Sequence, residues 1–367
     1  MLGRLFVAMN VRSFCRGTIF GGLIGDCYGY VYEDRPTVTA DIPIKLLNDT
    51  QAGIIKSELM YTDDTQMGIA TLRSLRANGK LVPTHLAKEY AEDYFKDGAH
   101  RYYGGSVPKI FGALKQQNYE SPYRFAAEMF NGTGSFGNGG AMRASPVAVY
   151  ALTSSDKDFE ELIVDVTRLT HTHPLAVCGA LLQAFAVRQL WSIVSQSNQS
   201  PLLPDKFVDN LVQRLSQVTC SFVDWKQPSW CQALSAYKDR MQTVKALLAR
   251  PTEPTVADVV KLLGNNLQAI NSVPTALYVF LRSLKPISGI PLTSVPLRCL
   301  VYAISLGGDT DTIATMACSL AGGYAGLSPE QTGPESPIPQ VILARCERLS
   351  TIEEMVVWLE RRLSTSN

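Results

Sequence analysis

Apolar residues recur at helical rather than alternating spacing along almost the whole of this chain, and that pattern restricts the fold more than any other feature. Ile69, Leu72 and Leu75, then Leu86, Tyr90 and Tyr94, are typical. Start marks accompany the pattern: Ser350 with Glu353, and Thr255 with Asp258, have the spacing at which a helix closes a capping box. No convincing strand run interrupts it. The spacing predicts helices near 12–30, 63–79, 83–97, 105–116, 121–131, 139–152, 157–169, 173–196, 204–217, 230–249, 255–264, 271–284, 294–305, 310–326 and 350–364. The expected fold class is therefore all-α. The linker-like stretches at 197–204, 285–296 and 327–340 are too short to tether separate units, so residues 12–367 are expected to form one domain.

Bulk numbers exclude several functions. Of 367 residues, 34 are basic and 33 acidic, a formal charge of +1, so no long-range field points to nucleic acid or an acidic membrane. The eight cysteines form no CxxC pair, and several sit in apolar runs such as 176–180. They are expected to be reduced core residues of an intracellular protein. No apolar stretch is expected to cross a bilayer. Residues 1–25 hold Arg4, Arg12 and Arg16 but no acid, so 1–11 is read either as a flexible N-terminus or as a mitochondrial targeting segment.

Two runs of acids and hydroxyls, Thr62-Asp63-Asp64-Thr65 and Asp309-Thr310-Asp311-Thr312, each open an apolar helix. One acid or hydroxyl suffices for an N-cap, and four in succession exceed that need. Packed acids raise one another's pKa and stay dry only if cations neutralise them. Magnesium, which takes oxygen donors from carboxylates and hydroxyls, is the natural ion for a two-metal site built from these runs. A third segment, 130–143, carries five glycines and leads into a helix, so its amides can wrap a phosphate, while Phe130 and Phe136 flank it and can stack a flat base. Its spacing matches neither a P-loop nor a dinucleotide fingerprint. His171 and His173 are read as local hydrogen-bonding residues, because positions i and i+2 of a helix point apart.

Taken together, Gly21-Gly22-Leu23-Ile24-Gly25-Asp26, the Thr-Asp-Asp-Thr run, Gly137-Asn138-Gly139-Gly140-Ala141-Met142-Arg143 and Gly307-Gly308-Asp309-Thr310-Asp311-Thr312 resemble the ADP-ribosylhydrolase family in order and spacing. Residues 272–276 and 305–317 resemble its branch that removes serine-linked ADP-ribose and degrades poly(ADP-ribose). The resemblance implies an all-α orthogonal bundle with two Mg2+ in a central cleft. It implies metal ligands at Thr62, Asp63, Asp64, Asp309, Asp311 and Thr312, and a mobile catalytic glutamate at Glu33 that also touches metal. ADP-ribose contacts carry over to Asp63, Gly104, Ser106, Phe130, His171, Leu267 and the loop Thr133, Gly134, Ser135, Phe136, Gly137, Asn138 and Gly139. Phe136 stands where the branch usually has Tyr, and Gly104-Gly105-Ser106 where it usually has Gly-Ala-Gly.

The implied reaction is hydrolysis of an O-glycosidic bond through an oxocarbenium-like state, with Glu33 handling the proton. Implied substrates are serine-ADP-ribosylated proteins, poly(ADP-ribose) and O-acetyl-ADP-ribose. The protein is expected to be a monomer of the nucleus and cytoplasm, or of the mitochondrial matrix, without nucleic-acid or membrane partners. Two other readings stand beside it: hydrolysis of arginine-linked ADP-ribose, and a non-catalytic ADP-ribose reader or structural relative, which the intact acids disfavour.

Overall fold

Glycines at 17, 21, 25 and 29 recur at every fourth position of the first helix, Val11–Gly29, and so share one face. That face lies antiparallel against the helix Thr310–Ala325. Opposite each glycine stands backbone of the partner helix, in the register Gly17 to Gly322, Gly21 to Cys318, Gly25 to Ala314 and Gly29 to Thr310 and Asp311. A Cβ on Gly29 would come within 2.8 Å of the Thr310 carbonyl oxygen, and the other three would be closer still to theirs. The contact is thus backbone on backbone, and it forms the axis around which the other helices pack.

The computed structural model describes residues 9–196 and 201–365; residues 1–8 of the expected N-terminal segment, 197–200 of the first linker, and 366–367 lie outside them. Among the described residues there are 18 α-helices, two short 3-10 helices and three isolated β-bridges, so the all-α expectation holds. Two helices were not foreseen. Asp41–Gln51 buries only Pro43, Leu47 and Thr50 and has no side-chain cap, and Gln340–Leu343 is a single turn too short for periodicity to register.

Other expectations need correction. The helix expected at 139–152 is two, Gly139–Met142 and Ala144–Tyr150, broken where Arg143 turns its side chain into the core. The helix expected at 121–131 is Arg124–Gly132, with non-helical backbone at Met129, Phe130 and Asn131. Thr255 and Asp258 do close a capping box, whereas the last helix is Leu349–Thr365, which puts Ser350 inside it, and Glu353 accepts from Arg16 Nη1 at 2.7 Å. Seven cysteines are buried as expected, whereas Cys231 is exposed.

Contrary to the expectation from sequence, Pro174–Val194, at 21 residues, is long and apolar enough by composition to cross a membrane. Its apolarity has another cause here. The helix is central, buried on most sides, and carries Gln183 inward to donate to Ser145 Oγ (3.1 Å) and the Met316 carbonyl (3.0 Å).

The glycine contact makes a direct prediction. In an exposed helix, Gly to Ala would stabilise by up to about 1 kcal/mol, but Gly21→Ala must separate two backbones and should cost about 1–3 kcal/mol as an overpacking substitution. Gly333→Ala, with open space around it, should stay within about 0.5 kcal/mol of the wild type. Urea denaturation of both variants measures the contrast, and equal midpoints would remove the argument.

Candidate active site

The antiparallel helix pair ends at a cavity of about 620 Å³, a size that suits a nucleotide-like ligand. The first wall is the N-terminus of the helix Asp63–Asn78, capped by Thr62. Asp26, wholly buried on the glycine helix, accepts the Thr62 N–H with Oδ1 and the Thr65 N–H with Oδ2, both at 2.9 Å. It therefore holds the first acidic run at its root. Reading the sequence for site residues passed over Asp26; the signal was an acid inside an otherwise small and apolar helix.

The second wall is the segment before Thr310–Ala325. Gly307 and Gly308 have φ of +67° and +70°, and a Cβ on Gly307 would meet the Pro36 carbonyl oxygen at 2.5 Å. Free of side chains, this strip pairs with the chain after Glu33: Asp34 N–H donates to Gly308 O (3.0 Å) and Gly308 N–H donates to Arg35 O (2.7 Å). Asp309 N–H donates to Asn265 O at 2.9 Å. Glu33, for which sequence alone provided little argument, is thereby fastened beside Asp309.

The glycine-rich loop makes the third wall. Asn138 Nδ2 donates to Asp309 Oδ2 (2.5 Å) and to Ser272 Oγ (3.0 Å), linking the loop to the acids. Asn138 N–H donates to Leu267 O (2.9 Å) and Ala269 N–H to Phe136 O (3.1 Å), which sets Leu267 beside Phe136. Phe130 and Phe136 have ring centroids 6.4 Å apart and, with Leu267, leave apolar surface exposed at the rim. His171 packs its imidazole on Gly137 and Gly139, where a Cβ would lie 3.2 and 3.0 Å from Nε2. His173 serves as N-cap of the central helix, accepting the Leu175 N–H at 3.1 Å.

Of the residues expected in the site, Glu33, Asp63, Asp64, Gly104, Ser106, Phe130, Ser135, Phe136, Gly137, Asn138, Gly139, His171, Leu267, Asp309, Asp311 and Thr312 line this one cavity. Three do not. Thr62 is buried behind the surface, with Oγ1 accepting the Asp64 N–H at 3.4 Å. Thr133 turns its hydroxyl to the Phe130 carbonyl at 2.8 Å, and Gly134 packs against Thr172. Met67, Tyr102, Tyr103, Lys109, Met142 and Gln268 line the cavity without having been foreseen, because nothing in their local spacing marks them.

Burial first, and neighbouring carboxylates second, raise the pKa of Asp63, Asp64 and Asp311 well above the usual range; Asp309 and Asp26 are raised chiefly by burial. Glu33, only half-buried, is pushed up to about 7 by burial and then by the charges of Asp309, Asp34 and Asp26. Asp64 Oδ2 and Asp309 Oδ1 are buried without a hydrogen-bond partner. Uncompensated carboxylates with free lone pairs, and hydroxyls beside them, fit a hard divalent cation with oxygen ligands. Among the described residues no three of these groups are drawn into one ready-made cage, so the donors form a ring around the cavity.

Comparison with known proteins agrees with this geometry. The ADP-ribosylglycohydrolase family profile matches residues 8–367. The chain belongs to the ADP-ribosylglycohydrolase family. Among its relatives in that family is "ADP-ribosylhydrolase ARH3" of Xenopus tropicalis, 38% identical over 327 residues, covering 87% of this chain and 89% of the relative. The Homo sapiens protein of the same name is 35% identical over 330 residues, covering 87% of each. A solved structure described as "ADP-ribosylglycohydrolase-related protein complex" superposes with a TM-score of 0.62 at 17% identity, over 96% of this chain and 98% of that one, a likeness of fold. This member of the ADP-ribosylglycohydrolase family thus keeps both acidic runs and the glycine loop around a single cavity.

One pH effect follows from His171. Burial, then the charge of Arg143, lowers its pKa to about 3, against about 6.5 for an exposed histidine. Between those values the unfolded chain binds a proton that the folded one does not, so the stability present above about pH 6.5 is lost progressively as pH falls. The urea midpoint of His171→Gln should therefore decline less steeply than that of the wild type from about pH 6.5 to 4. Parallel declines would rule out His171 as the source.

Proposed function

We propose that this ADP-ribosylhydrolase is a Mg2+-dependent glycosidase that cleaves the O-glycosidic bond of ADP-ribose on serine and between units of poly(ADP-ribose), with O-acetyl-ADP-ribose as a smaller substrate. The observation that carries the reading is the position of Glu33. It is the half-buried carboxyl among buried ones, fastened next to Asp309 and facing a cavity whose far side offers a glycine loop and two exposed rings. The serine linkage rests on the resemblance of residues 272–276 and 305–317 to the serine branch.

In this reading Phe130, Phe136 and Leu267 cover the adenine, and the cavity-lining part of the loop, residues 135–139, faces the diphosphate, where glycines let the backbone approach closely. Gly104 and Ser106 stand beside the diphosphate, and His171 contacts the substrate from the cavity wall. Thr62, Asp63, Asp64, Asp309, Asp311 and Thr312, with Glu33, would hold two Mg2+, which when bound supply Lewis acidity and a lowered pKa for water. The carboxylate ring keeps a negative field at the anomeric carbon as positive charge develops there. Glu33 takes the proton of the attacking water and gives it to the departing oxygen, since of these acids it alone is open enough to exchange protons with a bound substrate. Residues 12–367 act as a single domain and a monomer, on protein-linked or polymeric ADP-ribose inside the cell, with no nucleic-acid or membrane partner needed.

The test is ADP-ribose release from a serine-ADP-ribosylated peptide, with Mg2+ and with EDTA, beside an arginine-linked peptide. Mg2+-dependent release from serine alone is expected, with turnover of Glu33→Gln lowered at least about 100-fold and its ADP-ribose binding retained. Asp311→Asn should in addition weaken Mg2+ binding measured by calorimetry. Undiminished turnover of Glu33→Gln, or release from arginine only, would sink the proposal.

A further inference from the structure

Arg143 is the largest fully buried side chain, and its charge has no carboxylate partner among the described residues. Its guanidinium donates to the carbonyls of Gly139, Val166 (3.0 Å) and Thr167 (3.3 Å), sits 5.4 Å from the Tyr90 ring centroid, and donates to Thr170 Oγ1 at 2.7 Å. A guanidinium can only donate, so Thr170 Oγ1 is the acceptor in that bond. The hydroxyl has one proton of its own, and its other hydrogen-bond partner is His171 Nδ1, at 2.8 Å. That bond uses the hydroxyl proton when Nδ1 accepts it, which leaves the ring's own proton on Nε2, whereas the reverse direction would leave the buried hydroxyl proton without an acceptor among the described residues. Nε2 is the nitrogen packed against Gly137 and Gly139 on the cavity wall.

We propose that Arg143 acts through Thr170 as a positioning residue, locking His171 as the neutral Nε2–H tautomer so that it donates a hydrogen bond to an oxygen of the bound ADP-ribose. The ligand in this statement rests on the function proposed above, whereas the tautomer rests on the relay alone. The same arrangement explains why a buried cation tolerates this place: each of its neighbours is a neutral acceptor or a ring face, and a second positive charge on His171 is excluded by its proximity. It also accounts for the break at 143 in the expected helix, since the backbone must turn there to send the guanidinium under the glycine loop.

The experiment is nitrogen NMR of the full chain labelled at its four histidines, with His171→Gln assigning the signal, together with ADP-ribose affinity by calorimetry. The wild type should show an unprotonated Nδ1 and a protonated Nε2, unchanged from about pH 5 to 8. Thr170→Val should lose the single tautomer and bind ADP-ribose about tenfold more weakly, while Thr170→Ser keeps both. Nδ1–H in the wild type, or an unaltered spectrum in Thr170→Val, overturns the relay. A changed tautomer with unchanged affinity overturns the donor role. A wild type that shows the Nε2–H tautomer but does not bind ADP-ribose refutes the function proposed for the cavity and leaves the relay supported.

Discussion

The backbone contact between Val11–Gly29 and Thr310–Ala325 is the constraint on which the rest of the structure depends. Side chains of ordinary size on positions 17, 21, 25 and 29 would push these helices apart, and everything at their ends would separate with them. Because the pairing is antiparallel, the C-terminal turn of one helix meets the N-terminal turn of the other. Asp26, Glu33, Asp309 and Asp311 thereby arrive in one place from opposite ends of the chain.

What arrives there is costly. Six carboxylates, five of them buried, face one another with no lysine or arginine ion-paired to them among the described residues, and burial alone disfavours their charge. The surrounding structure offsets part of that cost locally. Asp26 satisfies two amides at a helix start, Asn138 donates to Asp309, and Asp63, Asp64 and Asp311 sit in first turns, where the helix dipole favours negative charge. The remainder is left for cations. Such a site is built for binding charge and not for the stability of the empty fold.

Four of the seven non-glycine residues with left-handed φ among the described residues lie at the same cavity. Asp34, Tyr102, Phe130 and Asn131 adopt left-handed φ between 53° and 62° without being glycine, and all four lie on segments that border it. For Phe and Tyr this conformation is unfavourable and persists only where the neighbours over-determine it. Here it turns the Phe130 ring out toward Phe136 and brings Tyr102 against Tyr30, whose ring centroid is 5.3 Å away.

By itself the sequence determined the helical class, most helix positions and the two acidic runs, because apolar spacing, caps and acid clustering are local properties written within a few residues. The glycine loop and the pair of rings beside it were equally legible. The spacing of residues gave no reason to join Glu33 to Asp309, and only the resemblance pointed to it; the tertiary structure supplies the physical link, since the two meet through the ladder between Asp34, Arg35 and Gly308, across some 275 residues of chain. It alone revealed Asp26 as the root of the first acidic run, turned Thr133 and Gly134 away from the cavity, and made the apolar helix Pro174–Val194 a core element. The physical reason is common to all of these. Spacing fixes which face of an element is apolar, whereas the direction of a buried polar side chain is set by the donors and acceptors that distant segments bring to it.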